Sequence, residues 1–185
     1  MSSHDATQQR ILDVAMAIMK SDFASMQLYD SQRHGLRMIT TRGIPAFFVE
    51  QFAWVYPESG TSCAMVLQTR QRGIITDIDT CDFVAVARET LRKAGIYAMQ
   101  STPLCDADGR LIGTCSTHWR RPHKPRRAEL RLFDVWTRQI AEVLLHDDDV
   151  SHLLHEAFVQ VDRSRQLIDE LEQLMARKVK PPRLH

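Results

Sequence analysis

The residues able to do chemistry are few, and the spacing of each group limits what it can do. Four cysteines, Cys63, Cys81, Cys105 and Cys115, offer thiols as nucleophiles or metal ligands. They form no Cys-x-x-Cys pair and no spacing typical of a zinc site, so no metal centre is expected. The plain reading of Cys63 is a small buried apolar residue on a short helix. His118 is the polar residue of most interest, because a neutral imidazole can donate into a pocket or ligate a metal such as haem iron. The alternative is a hydrogen-bonded histidine on a sheet. Ser25, Gln27 and Tyr29 recur at alternate positions, as do Ser116 and His118, and Ser101 lies in a similar run. If they share a pocket, they supply convergent hydrogen-bonding groups for a small molecule. If they do not, they are the wetter face of a half-buried sheet.

Composition narrows the partners. The chain has 185 residues, which suits one domain with a helical extension. Its 24 Lys and Arg nearly balance 23 Asp and Glu, for a net charge of +1. That balance gives no basis for a nucleic-acid or membrane partner of the whole chain. Asparagine is absent, which excludes N-glycosylation and any motif that needs its amide. The polar start, Met1 to Gln9, lacks the apolar run of a signal peptide. No apolar run approaches the roughly 20 residues that span a bilayer. A cytoplasmic location with reduced thiols is therefore expected.

The elements that must position these groups follow from periodicity. Ile11, Leu12, Ala15, Ile18 and Met19 repeat at three- and four-residue steps, which predicts a helix. Ala24 to Tyr29 and Leu36 to Thr41 alternate and read as a β-hairpin across the polar stretch Asp30 to Gly35. Short helices are expected over Ala46 to Trp54 and Ser62 to Gln68. A brief strand over Gly73 to Ile78 and a helix near Phe83 to Ala94 follow, with Gly95 as its C-cap.

Ile96 to Leu104 and Leu111 to Trp119 read as strands joined at Asp108-Gly109, the chemistry of a two-residue type I′ turn. Such a turn places Ser101 opposite Ser116, Met99 opposite His118, Cys115 opposite Thr102 and Cys105 opposite Ile112. A Cys105–Cys115 disulfide is not expected, since the two are not facing partners. Cys115 and His118, three apart on a strand, point to opposite faces and cannot address one ligand.

A long helix is expected after Pro125, with Leu130, Phe133, Trp136, Ile140 and Leu144 along one side, running to His146. Asp147 to Asp149 interrupt the pattern. Val150, Leu154, Ala157, Val161, Ser164, Ile168, Leu171 and Met175 then form a heptad seam. Its apolar stripe is expected to pair in a homodimer, the alternative being that it folds back on its own domain. The basic run Arg120 to Arg127 opposes the dipole of the helix it precedes, with Glu129 offsetting part of the charge. It reads as a docking point for an acidic protein partner or a phosphate, or as a solvated turn.

Several motifs resemble those of GAF domains, in particular the sensor domains of bacterial histidine kinases. They are Arg42-Gly43-Ile44-Pro45, Glu58-Ser59-Gly60-Thr61-Ser62-Cys63, Gln100-Ser101-Thr102-Pro103-Leu104 and Asp108-Gly109-Arg110-Leu111-Ile112-Gly113. Cys115-Ser116-Thr117-His118-Trp119 followed by Arg121-Pro122 completes the set. The resemblance covers roughly Gln9 to His146. It implies an α+β fold, an antiparallel sheet with the terminal helices on one face and a pocket closed by loops and short helices on the other. The implied organisation is a sensor domain over 9–146, an amphipathic helix over 147–178 and a disordered tail over 179–185. The ATP-site motifs of a kinase are missing after His146.

The resemblance implies a signal-transduction module, as in two-component systems. It binds an unidentified small molecule or relays a conformational signal through dimeric helices. The candidate pocket residues are Gln27, Tyr29, Cys63, Ser101, Ser116 and His118, and the cofactor is unknown. The Asn-Lys motif of cyclic-nucleotide GAF domains is absent. Free methionine sulfoxide reductases of this family carry a cysteine where Cys63 stands. Their other two positions fall near Ala53 and Arg92, so that enzyme activity is the lesser expectation, as is a ligand-free dimerisation scaffold. Bilin-binding relatives attach chromophore through a cysteine beside a histidine, a pattern that Cys115 and His118 match only superficially.

Overall fold

A computed structural model describes residues 3–145 and six further helical positions, Arg163, Gln166, Leu167, Glu170, Gln173 and Leu174. The seam positions Val150, Leu154, Ala157, Val161, Ile168, Leu171 and Met175 lie outside the described residues, as do the break at 147–149 and the tail 179–185.

Six strands form one antiparallel sheet. They are β1 (Phe23–Asp30), β2 (Gly35–Arg42), β3 (Trp54–Val55), β4 (Gly73–Ile75), β5 (Ala98–Cys105) and β6 (Leu111–Trp119). Their spatial order is β3-β2-β1-β6-β5-β4. Helices α1 (Ser3–Met19) and α5 (Arg127–Leu145) cover one face. There Ile11, Leu12, Ala15, Ile18 and Met19 meet Phe133, Trp136 and Ile140 over Ala24, Met26, Ala98 and Cys115. The three- and four-residue spacing puts each apolar set on one helical side, as the sequence predicts.

The other face is closed by α2 (Ala46–Gln51), α3 (Ser62–Thr69) and α4 (Arg88–Lys93). Here Phe23, Leu36, Phe48, Phe52, Val55, Ile78, Leu91 and Met99 make a second core. Both faces of the sheet are thus buried. Strand alternation sorts the residues: Ala24 and Met26 face α1 and α5, whereas Phe23, Ser25 and Gln27 face the second layer.

Several boundaries differ from expectation. Helix α2 stops at Gln51 because Trp54 and Val55 pair with Arg37 and Leu36 as a two-residue strand. Strand β4 stops at Ile75, since the Thr76 carbonyl accepts from the His123 N–H at 2.8 Å rather than from a strand. The helix expected near Phe83 to Ala94 is broken. Asp82–Val84 is a 3₁₀ turn, and α4 begins at Arg88. Buried Val84 and Ala87 lie three apart, and the N–H of Ala87 bonds back to the Val84 carbonyl, the spacing of a tighter helix. Gly95 ends α4 as expected: its N–H bonds to Arg92, and that of Ile96 to Leu91.

The β5–β6 register pairs Ser101 with Ser116, Met99 with His118 and Thr102 with Cys115, as the alternation predicts. The connection is not a two-residue type I′ turn. Only Gly109 has positive φ, at 79°, and Asp108 is not left-handed. The Asp106 carboxylate accepts from the N–H groups of Asp108 and Arg110 at 3.0 and 2.8 Å. That side chain organises a five-residue loop, Asp106 to Arg110. A bulge then sets Cys105 opposite Leu111 instead of Ile112 and restores the register beyond it.

Candidate functional site

The site is built on a row of small residues. Gly73, Ser101, Ser116 and Ser25 face one another across β4, β5, β6 and β1. Their small side chains leave a trough in the sheet, and the N-terminus of α3 seats above it. Gly73 is required there, because a Cβ at that position would lie 2.4 Å from the Ser62 carbonyl oxygen. Thr61 caps α3 by accepting from the Ala64 N–H at 3.3 Å, which sets Ser62 and Cys63 on the first turn.

Four groups from three elements converge. Ser101 Oγ is 2.7 Å from both Ser62 Oγ and Ser116 Oγ. The Cys63 Sγ is 3.2 Å from each of Ser101 Oγ and Ser116 Oγ. Beside them, Thr114 donates to Gln27 Oε1 at 3.1 Å, and His118 Nε2 is 3.3 Å from Ser25 Oγ. All are buried. The wetter-face alternative for these residues therefore does not hold, because a second layer covers them.

A cavity of about 20 Å³ adjoins this network. Ser25, Gln27, Ser62, Cys63 and His118 form its polar side, with Met38, Phe48, Phe52, Val55 and Met99 as apolar walls. That volume has room for about one water molecule. His118 Nδ1 is buried and has no hydrogen-bond partner. Such an atom lacks its share of polar contacts, a debt that a ligand or water in the cavity would settle.

The electrostatics keep the site neutral. Burial pushes the His118 imidazole down from 6.5 to about 4, so it is uncharged at neutral pH. Burial also pushes the Cys63 thiol up, only partly offset by hydrogen bonds from Ser101, Ser116 and Thr114. A protonated thiol is a poor nucleophile and a poor metal ligand. Among the described residues, no cluster of three His, Cys, Asp or Glu could hold a metal.

The structure thus brings together Gln27, Cys63, Ser101, Ser116 and His118. Tyr29 stands apart, its hydroxyl 3.5 Å from His34 Nδ1 and its ring under the Arg70 guanidinium at 5.0 Å. Sequence reasoning missed Ser62 and Thr114. Thr114 was findable from its alternation with Ser116 and His118; Ser62 depends on the seating of α3. Cys115 lies under α1 and α5, on the opposite face from His118. In the basic run, Arg120 covers the Phe23 ring at 4.4 Å, and His123 stacks on Trp119. The Arg126 N–H and guanidinium both bond to Glu129, which caps α5.

Comparison with known families now places the fold. The family model described as GAF domain matches residues 2–145. The chain belongs to the GAF domain family. GAF domains serve as sensory and regulatory signalling modules that bind small molecules. Among solved structures, this GAF domain is similar to a domain assigned to a two-component sensor histidine kinase protein of Sinorhizobium meliloti 1021. The TM-score is 0.65 at 21% identity, over 79% of this chain and 94% of that one. It also resembles the GAF domain/HD domain protein of Geobacter sulfurreducens, with a TM-score of 0.62 at 19% identity over 82% and 94% of the two chains. A third likeness is GAF3 of Slr1393 from Synechocystis sp. PCC6803 in its photoproduct state. There the TM-score is 0.60 at 13% identity, covering 84% and 99%. These likenesses are of fold. A comparison with curated proteins finds no match. No helix among the described residues is long and apolar enough to cross a membrane.

Proposed function

We propose that this GAF domain is a non-enzymatic sensor whose ligand occupies the cavity between the sheet and α2–α3. The observation that carries the reading is the unpartnered Nδ1 of His118, a residue that lines that cavity. A core with no ligand-binding role rarely leaves such a group unmatched. The buried, protonated Cys63 thiol argues against a sulfoxide reductase, which needs an accessible thiolate.

The same strands that carry the site also carry the helix layer. Ser25 and Ser116 alternate with Ala24, Met26 and Cys115, which touch α1 and α5. A ligand that shifts β1 or β6 therefore biases the packing of the terminal helices, a population shift between two arrangements. We take the heptad-patterned stretch of 147–178, which follows α5, to pair in a homodimer. Leu167 and Leu174, one heptad apart, are each 54% exposed in the single chain, which supports a helical partner.

Native mass spectrometry of freshly purified protein tests both parts. The reading predicts a dimer with a retained small molecule, lost on mild denaturation. A monomer of bare chain mass contradicts the dimeric sensor.

A further inference from the structure

The cavity lining carries information about charge. It contains no Asp, Glu, Lys or Arg. Its polar wall consists of hydroxyls, a thiol, a carboxamide and an imidazole, none of them ionised at neutral pH. The hydroxyls of Ser62, Ser101 and Ser116 form a chain in which either oxygen of each pair can be the donor. That chain can turn a proton or a lone pair toward a neighbour by rotation. It cannot offset a full charge, and a buried ion without a counter-ion is strongly disfavoured. Opposite lie Phe48, Phe52 and Val55, which offer only apolar contact.

Resting on the sensor reading above, we propose that the ligand is an uncharged amphiphile of a few heavy atoms, bearing a hydroxyl or amide group. Its polar end meets His118 Nδ1 and the Ser25 side of the network, and its apolar end meets Phe48 and Phe52. Anions and cations are excluded. At pH 7.5 His118 has no positive charge to offer an anion, and Cys63 has no negative charge to offer a cation.

Room for such a molecule comes from the outer wall. The inner wall is fixed, since β1, β5 and β6 are each paired on both sides. The outer wall rests on α2 and on β3, whose ladder to β2 is only two residue pairs long. Outward displacement of α2 and β3 enlarges the cavity without disturbing the strands that hold the polar groups.

Three probes of one size separate charge from shape: propanamide, propionate and n-propylammonium. Each is titrated to millimolar concentration at pH 7.5 into uniformly ¹⁵N-labelled protein. The readout is the amide shifts of Ser25, Ser101, Ser116 and His118. Propanamide is expected to give saturable shifts there and in 48–55, with both ions at least tenfold weaker. The Ser25→Thr variant, which adds one methyl group beside the cavity and keeps the hydroxyl, should lose the response. An ion that binds there as tightly as propanamide overturns the uncharged class but leaves the cavity as a binding site. Silence of all three probes at these amides overturns the cavity itself as the ligand site. Shifts that persist unchanged in Ser25→Thr place the binding elsewhere and overturn the proposal.

Discussion

His118 makes stability depend on pH in a defined window. Its imidazole is buried, with its ordinary value of 6.5 lowered to about 4 in the folded chain. Above pH 6.5 neither state binds the proton, and folding is unaffected. As pH falls through 6.5 the unfolded chain takes up a proton that the folded chain refuses, so stability drops until about pH 4, where the native imidazole also titrates. At about 1.4 kcal/mol per pH unit, the whole window is worth about 3 kcal/mol, with about 2 kcal/mol lost by pH 5. The surrounding carboxylates titrate too, so the quantity to measure is a difference between proteins. Urea unfolding of wild type and His118→Gln from pH 7.5 to 4.5 isolates it, because Gln has the polar reach of His but no proton to gain. The wild type should lose about 2 kcal/mol more than His118→Gln between pH 7.5 and pH 5. Parallel pH profiles of the two proteins, or an imidazole ring resonance of His118 that titrates near 6.5 in the native state, would show that burial does not hold the ring neutral.

Other outcomes follow from the same geometry. In native protein, Cys81 and Cys105 should react first with iodoacetamide, and Cys63 and Cys115 only on unfolding, as peptide mapping by mass spectrometry would show; the first pair is half-buried and the second buried. Gly73→Ala should cost about 1–3 kcal/mol in urea unfolding, because the new Cβ meets the Ser62 carbonyl at 2.4 Å. It should also speed alkylation of Cys63 by lifting α3, while Cys115 stays protected. Glu129→Ala should cost about 1 kcal/mol by removing the acceptor for the Arg126 N–H at the start of α5, and Glu129→Gln should cost less.

Where the sequence spoke locally, it was readable. The apolar spacing of α1 and α5 and the alternation of β1, β5 and β6 express periods of three to four and of two, and each fixes which side chains share a face. Hence Ser101 opposite Ser116, and Cys115 turned away from His118, needed no tertiary information. The hairpin loop was misread because Asp-Gly suits a type I′ turn by composition, whereas the Asp106 carboxylate, two residues earlier, holds a longer loop. Strand β3 is two residues long, too short for any alternation to register. The 3₁₀ turn at Asp82–Val84 depends on buried Val84 and Ala87, which only the folded layer defines.

The candidate site divides in the same way. Gln27, Ser101, Ser116 and His118 were visible because strand parity put them on one face. Tyr29 obeys the same parity, yet lies toward the end of β1, beside His34 and Arg70, where no cavity reaches it. The contribution of Ser62 was invisible, since it follows from a row of four small residues drawn from four strands far apart in the chain. The apolar wall of Phe48, Phe52 and Val55 belongs to the short segment whose helix boundary was itself misjudged.

A ligand held in the cavity under α2 and α3 must stabilise the folded GAF domain. Thermal melting of wild type and Ser25→Thr in parallel, against a library of soluble metabolites, reads out that linkage. Compounds that bind there should raise the wild-type Tm by about 5–10 °C at a hundredfold excess over Kd and leave Ser25→Thr unmoved. A library that moves neither protein, or moves both equally, would rule the cavity out as the ligand site.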